Sequence, residues 1–323
     1  MITTTRLTKR FGKLAAVDSL SLEIGEGEVF GLLGPNGAGK TTTINLLITL
    51  LKPTSGTATV NGIDVVKHPA EVRKNIGVVF QEPSVDDLLS GKENLEMHAM
   101  LYGMPGELRR SRIVEVLDLV ELTDRKDDWV KTYSGGMRRR LELARGLMHH
   151  PKVLFLDEPT LGLDPQTRQH IWKYIARLAK EEKTTIVMTT HYMEEADLLC
   201  SRIGIMDHGK IVALGTPNKL KHEVGGDVVV LKQENFDRSC LKGLKFVKKV
   251  KAEGEEVILT VDHAHENLQR LLKAVGLVKS VEVREASLDD VFLKYTGRKY
   301  KEDGEGGEGG WSERAMSSQA QRD

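Results

Sequence analysis

An apolar run, Val29–Leu33, passes directly into Gly34-Pro35-Asn36-Gly37-Ala38-Gly39-Lys40-Thr41-Thr42. A glycine-rich turn that leaves a strand and opens a helix can curl so that successive backbone N–H groups point inward at phosphate oxygens. The new helix adds the positive end of its dipole. Gly34, Gly37 and Gly39 permit the curl, and Pro35, Asn36, Ala38 and Thr42 complete the stretch that lines the anion. Lys40 can reach the β- and γ-phosphates, and Thr41 can offer its hydroxyl to Mg²⁺. An ordinary glycine turn has no packing use for Lys-Thr at this phase, so the segment reads as a nucleotide site.

Val153-Leu154-Phe155-Leu156 has the look of a buried strand, and it switches abruptly to Asp157-Glu158. Standing alone, the two acids could be solvated residues at a loop entrance. Opposite a phosphate loop they can divide labour: Asp157 holds the Mg²⁺ sphere, through water, while Glu158 orients and polarises an attacking water. A second anion site is written in Tyr133-Ser134-Gly135-Gly136-Met137, which precedes the amphipathic run Arg138–Leu147. Ser134 suits a helix N-cap, and Gly135 and Gly136 expose backbone N–H groups. A helical stretch separates this helix start from the first one. One chain therefore does not easily fold both onto a single triphosphate, whereas two copies packed head to tail can.

The elements that must position these residues follow from periodicity. Residues from Ile2 to about Ile24 alternate as strands, Gly25–Glu28 turns the chain into Val29–Leu33, and a helix over Thr42–Leu51 stops at Lys52–Gly56. Short strands are expected at Thr57–Val60 and Ile76–Phe80. About 85–145 the pattern becomes helical, with apolar residues at three- and four-residue spacing in Glu93–Tyr102, Glu107–Leu119 and Gly136–His149. Strands return at Val153–Leu156, Thr185–Thr189 and Ile203–Asp207, separated by helices over Gln166–Glu182 and Met193–Cys200. Strand–helix alternation predicts an α/β fold with a mainly parallel sheet covered on both faces. Its ligands bind beyond the carboxyl ends of the strands, where Gly34–Thr42, Asp157-Glu158 and His191 all fall. The first domain is thus expected over 1–222, with the helical subdomain inserted at about 85–145.

After Gly225-Gly226 a small α+β domain is expected over 225–298, with strands Val228–Lys232, Val257–Val261 and Ser280–Arg284 and a helix Glu266–Ala274. Lys245–Lys251 reads as a solvated strand edge. The stretch 299–323 is Gly-, Glu- and Ser-rich with little to bury except Trp311, and it is expected to be disordered.

Composition removes several function classes. The 323 residues carry 47 basic and 47 acidic side chains, so no global field favours DNA or RNA, and no nucleic-acid partner is expected. The two cysteines, Cys200 and Cys240, lack zinc spacing, and without a disulfide framework or a signal-like start the chain is expected to be cytosolic. No apolar run approaches the roughly 18–20 residues that span a bilayer, so a membrane role must come through a partner.

Taken together and in this order, phosphate loop, Ser-Gly-Gly before a helix, Asp-Glu strand end and downstream His resemble the nucleotide-binding subunit of an ATP-binding-cassette (ABC) transporter, over roughly residues 1–220. The resemblance implies a P-loop NTPase fold with the cofactors ATP and Mg²⁺, a head-to-tail ATP-sandwich homodimer, an integral membrane permease as partner, and a peripheral location on the cytoplasmic face of the cell membrane. Carried over by motif, Phe11 stacks on adenine, Gln81 touches Mg²⁺ and water and senses the γ-phosphate, and Ser134, Gly135 and Gly136 contact the γ-phosphate on the opposite subunit. Asp164, in Leu161-Gly162-Leu163-Asp164, lies in the loop that crosses the dimer interface, and His191 binds the γ-phosphate and supports Glu158. Each has a plainer rival: Phe11 as a strand-end core residue, Gln81 as an exposed polar residue, His191 as a satisfied strand-end histidine, Asp164 as a helix cap before Pro165.

Tyr133 and Met137 depart from the Leu and Gln that commonly flank Ser-Gly-Gly, leaving the backbone donors in place. This variant, followed by Arg138–Arg145, resembles the ATPases of daunorubicin-resistance-type drug exporters, as does Leu288–Gly297 near the end of the small domain. Transport-coupled ATP hydrolysis, exporting drug-like or lipophilic compounds, is the implied activity. A soluble cassette ATPase acting on ribosomes or DNA is the alternative, but such proteins typically carry two cassettes or long coiled-coil arms, and this chain has one phosphate loop and balanced charge. Arg138-Arg139-Arg140 reads as a helix face that pairs with acids or abuts a partner.

Overall fold

The computed structural model describes residues 1–81, 84–224, 226–233, 236–254, 256–284 and 286–297. The tail expected over 299–323 lies outside the described residues.

The chain opens with β1 (Ile2–Phe11) and β2 (Leu14–Ile24), then β3 (Val29–Leu33), α1 (Lys40–Leu47), β4 (Ser55–Val60) and β5 (Ile63–Asp64). A short α2 (Pro69–Asn75) leads into β6 (Ile76–Val79), and three helices follow: α3 (Gly91–Leu101), α4 (Gly106–Leu119) and α5 (Gly135–Leu147). Then come β7 (Val153–Asp157), α6 (Pro165–Glu181), β8 (Thr185–Thr189), α7 (Met193–Leu199), β9 (Arg202–Asp207) and β10 (Lys210–Gly215). Polar caps set several of these starts. Ser90 Oγ accepts from Glu93 N while Glu93 Oε2 accepts from Ser90 N, a reciprocal cap on α3, and Ser134 and Asp164 cap α5 and α6.

Strands β2-β1-β4-β5 form an antiparallel sheet, and β10-β9-β3-β8-β7-β6 form a second, six-stranded one. In the second, β9, β3, β8, β7 and β6 run parallel. Val29–Leu33 and Thr185–Thr189 are buried at every position, the pattern of strands covered on both faces. Because these strands point the same way, Leu33, Val79, Asp157 and Thr189 all end on one edge, with β8 lying between β3 and β7. The expected parallel sheet is present, and its carboxyl edge carries three of the expected site segments.

A second compact unit begins at Gly215 rather than at the Gly225-Gly226 pair. It contains α8 (Pro217–Glu223), β11 (Asp227–Lys232), β12 (Val247–Glu253), β13 (Glu256–Val261), α9 (Ala264–Val275), β14 (Ser280–Arg284) and α10 (Leu288–Thr296). The earlier start has a physical cause in α8. Thr216 caps it, Pro217 occupies its first turn, and it packs on α10, where Tyr295 Oη donates to Glu223 Oε2 at 2.9 Å. The four strands pair antiparallel in the order β12-β13-β11-β14, which leaves the lysine-rich β12 at an edge. Val229, Leu231, Val257, Leu259 and Val261 meet Leu271 and Val275 of α9 in the core of this unit. Among the described residues no helix is long and apolar enough to cross a membrane.

Candidate functional site

The loop between β3 and α1 is shaped by close approach. A Cβ on Gly39, whose φ is 105°, would lie 2.2 Å from Ala16 O, and one on Gly34 would lie 2.3 Å from Met206 O, so neither position admits a side chain. Thr43 Oγ1 donates to Gly39 O at 2.9 Å and ties the first turn of α1 to the loop. Lys40 is buried, and its Nζ donates to Gly34 O at 2.6 Å and Pro35 O at 3.2 Å. Burial pushes its pKa down, while Glu158 and Asp157 oppose the shift, so the lysine lies within electrostatic reach of the acid pair. Asn36, Gly37 and Thr41 are exposed at the mouth of the loop.

At the end of β7 the two acids part company. Asp157 accepts a hydrogen bond from Thr189 Oγ1, yet burial and the neighbouring Glu158 charge leave its pKa raised. Glu158 takes a left-handed backbone, φ 51°, held by bonds from its N–H to Thr189 O at 3.2 Å and Thr189 Oγ1 at 3.1 Å. Its side chain is buried: Oε1 contacts His191 Nε2, and Oε2 has no hydrogen-bond partner. The carboxylate thus presents one oxygen to an imidazole and keeps the other buried without a partner. His191 is set against the acid, a contact that also satisfies the imidazole.

A second group assembles at the starts of α5 and α6. Ser134 Oγ accepts from Met137 N at 3.2 Å, and Ser134 and Gly135 are exposed. A Cβ on Gly136 would lie 3.2 Å from Thr167 Cγ2, which brings Ser134–Gly136 beside the Asp164 loop. Asp164 accepts from Thr167 N at 3.0 Å and Thr167 Oγ1 at 2.6 Å, and these bonds hold its pKa down. It therefore caps α6 while remaining exposed. Phe11 is 37% exposed with Lys9 Nζ 5.1 Å from its ring centroid, so it is not a core residue. Gln81 is exposed just beyond β6.

A family profile described as "ABC transporter" matches residues 17–161, and one described as "ATP-binding protein DrrA1-3-like, C-terminal domain" matches 215–296. The chain is 44% identical over 308 residues to the daunorubicin resistance ATP-binding protein DrrA2 of Streptomyces coeruleorubidus, covering 91% of this chain and 94% of the relative. It is 38% identical over 308 residues to the linearmycin resistance ATP-binding protein LnrL of Bacillus subtilis, covering 92% and 99%. The dimeric post-hydrolysis structure of the ATP-binding cassette MJ0796 bound to ADP and Pi superposes with TM-score 0.61 at 30% identity, over 67% of this chain and 98% of that one.

The chain belongs to the ABC transporter family. As an ABC transporter ATP-binding protein it binds and hydrolyses ATP, and the fold is that of the P-loop cassette with an added C-terminal domain.

Several features of this ABC ATPase are not evident from residue spacing. Tyr133 replaces leucine without disturbance because Gly91 makes room: a Cβ there would lie 2.3 Å from Tyr133 Oη, which donates to Arg125 O at 2.6 Å. Glu195, on α7, is fully buried and accepts from Thr160 Oγ1 at 3.1 Å, Trp172 Nε1 at 2.9 Å and the Thr190 hydroxyl. Thr160 lies two residues past Glu158 and Thr190 immediately precedes His191, so one carboxylate braces both flanks. The arginine run also divides. Arg138 pairs with Asp87 at 2.7 Å and Arg140 with Glu121 at 3.6 Å, as a helix face should, but Arg139 points inward and is buried. No periodicity signal separates Arg139 from its neighbours; only packing does.

Proposed function

We propose that two copies of this chain, packed head to tail, grip two ATP molecules and power a separate membrane permease that exports drug-like or lipophilic compounds from the cytoplasmic face of the cell membrane. Support comes from the drug-resistance names of the relatives, from the dimeric state of the MJ0796 cassette, and from the exposed Ser134, Gly135 and Asp164, with half-buried Gly136 beside them, lying apart in sequence from the phosphate loop. The observation that carries the chemistry is Glu158, oriented by His191 with Oε2 buried and unsatisfied.

On this reading ATP extends from Phe11, which stacks on adenine, along the backbone N–H groups of Gly34–Thr42 to Lys40 at the β- and γ-phosphates. Water attacks the γ-phosphorus in line, the bond to the β–γ bridging oxygen breaks, and Glu158 takes the water proton. His191 keeps Glu158 turned toward that water and donates to the γ-phosphate. The partner copy's Ser134, Gly135 and Gly136 supply N–H groups to the same phosphate, with Asp164 alongside. Thr41, Gln81 and Asp157 offer hydroxyl, amide and carboxylate oxygens, a donor set that suits a small hard dication. Mg²⁺, when bound there, neutralises charge on the phosphate oxygens.

The test uses Glu158→Gln. The variant should bind Mg–ATP and run as a dimer by light scattering, returning to monomer when ATP is removed, and the full chain should co-purify with a polytopic permease from detergent-solubilised membranes. A variant that stays monomeric at high protein concentration with ATP bound overturns the shared pocket. Association with ribosomes or DNA in place of a permease overturns the transport role.

A further inference from the structure

Arg139 lies on α5, the helix that Ser134 caps. Its guanidinium donates from Nε to Pro159 O at 2.7 Å, from Nη1 to Phe80 O at 2.5 Å, and from Nη2 to Asp157 O at 2.9 Å and Glu158 O at 2.7 Å. A guanidinium has five N–H groups, and at least four of these end on main-chain carbonyls. The acceptors come from two segments: the residue before Gln81, and three consecutive residues that include Asp157 and Glu158. The charge is offset by those carbonyl dipoles and by the field of Glu142, Asp157, Glu158 and Glu195.

The same helix grips the far side of the Gln81 loop. Glu142 is fully buried and accepts from Ser84 N at 2.5 Å, while Arg145 Nη1 donates to Ser84 O at 2.8 Å and Nη2 to Glu142 Oε2 at 2.8 Å. One face of α5 thus holds Phe80 and Ser84, which bracket Gln81, together with the backbone of the acid pair. Glu158 needs this support. A non-glycine residue held in the left-handed region costs on the order of 1–3 kcal/mol and persists only where its surroundings over-determine it. Thr189 fixes its N–H, and Arg139 fixes its C=O.

We propose that Arg139 is a positioning residue for hydrolysis, tying the helix behind Ser134-Gly135-Gly136 to the backbone of Asp157 and Glu158 and to the root of Gln81. Movement of α5 when its N-terminus meets nucleotide is then delivered to the base of its own chain. The inference rests on the ATP-hydrolysing reading above. Lysine retains the charge and most of the volume but presents a single point donor that cannot span carbonyls arranged in a fan. Misplacement of a catalytic group by about 1 Å is worth roughly a hundredfold in rate.

Wild type, Arg139→Lys and Arg139→Met are compared for ATP turnover per folded molecule, for Kd of a fluorescent ATP analogue, and for thermal melting. Arg139→Lys should lose about ten- to a hundredfold in kcat, with KM and Kd for nucleotide within about threefold of wild type. A purely structural arginine lowers the melting temperature and the folded fraction but leaves kcat per folded molecule intact, and that result overturns the inference. If the variants do not fold, hydrogen exchange on the unaltered chain decides. A non-hydrolysable ATP analogue should change protection in 135–147 and 155–161 together, and a change in 135–147 alone overturns the coupling. A wild type that hydrolyses no ATP sinks the functional reading instead, whereas an active wild type matched by Arg139→Lys sinks only this proposal.

Discussion

The two compact units treat buried polarity in opposite ways. Among the described residues every buried polar or charged side chain belongs to the first unit, from Thr4 through Lys40, Arg139, Glu142 and Glu158 to Glu195. The second unit closes an antiparallel sheet over Val229, Leu231, Val257, Leu259 and Val261 with one amphipathic helix, and its ionic and capping bonds, such as Arg284 to Asp290 at 3.0 Å and Ala264 N to Asp227 Oδ2 at 2.7 Å, are made by half-buried or exposed side chains. A buried ionisable group is costly unless every oxygen and N–H finds a partner, so a fold keeps such groups where they position or perform chemistry. The buried ionisable groups around the candidate site, Lys40, Arg139, Glu158 and Glu195, thus belong to the first unit, while the second unit's described residues bury apolar side chains.

The largest effect should come from the acid. Glu158→Gln keeps the side-chain volume and the His191 neighbour but cannot accept a proton, so steady-state turnover should fall by about 10²–10⁴-fold with nucleotide affinity retained. Wild-type turnover would remove Glu158 as the base and blur the contrast between the units. Next in size, Leu231→Ala opens a cavity in the second core and should cost about 2–5 kcal/mol in the unfolding of that unit, read by denaturant melts. Hydrolysis by the separate cassette should be unchanged; a parallel loss of kcat would show that the second unit is more than a packed scaffold. Phe11→Ala comes third. Loss of an aromatic platform should weaken ATP binding by about 1–3 kcal/mol, measured by calorimetry, with little effect on melting because Phe11 is exposed.

The smallest effect concerns Glu195. Burial raises its pKa above the ordinary 4.5 despite the three donors on its oxygens. A carboxyl whose folded pKa exceeds its unfolded one binds its proton more tightly when folded. The associated stability is therefore full below about 4.5, where both states are protonated, and declines as the pH climbs from there to the folded pKa. Glu195→Gln removes that titration, so its stability relative to wild type should improve with rising pH across this window and then level off. Rearranged hydrogen bonding should cost it about 1 kcal/mol at low pH. A pH-independent difference in denaturant midpoints would mean that Glu195 does not titrate above its usual value.

Much of the site was legible without coordinates because its signals are local. Ser134 and Asp164 follow from capping, the Asp157-Glu158 switch from the end of an apolar strand, and the nucleotide loop from its glycine pattern, although the approach of Met206 and Ala16 that demands glycine at Gly34 and Gly39 is tertiary. Phe11 needed its exposure to be set apart from a core residue, and the meeting of His191 with Glu158 needed the fold. Helix α8 carried readable signals in Thr216 and Pro217, and its assignment to the second unit follows from its packing on α10 rather than from its caps.

The order of motifs along the chain, the parallel sheet and the nucleotide loop are properties of the amino-acid sequence, since side-chain type and period specify backbone geometry over a few residues. Thr189 beside Asp157, Glu195 between Thr160 and Thr190, and Arg139 under four carbonyls are decisions of the tertiary structure. A buried donor is satisfied by whichever carbonyls the packed strands and helices bring to it, and those lie far along the chain at separations that no local pattern encodes.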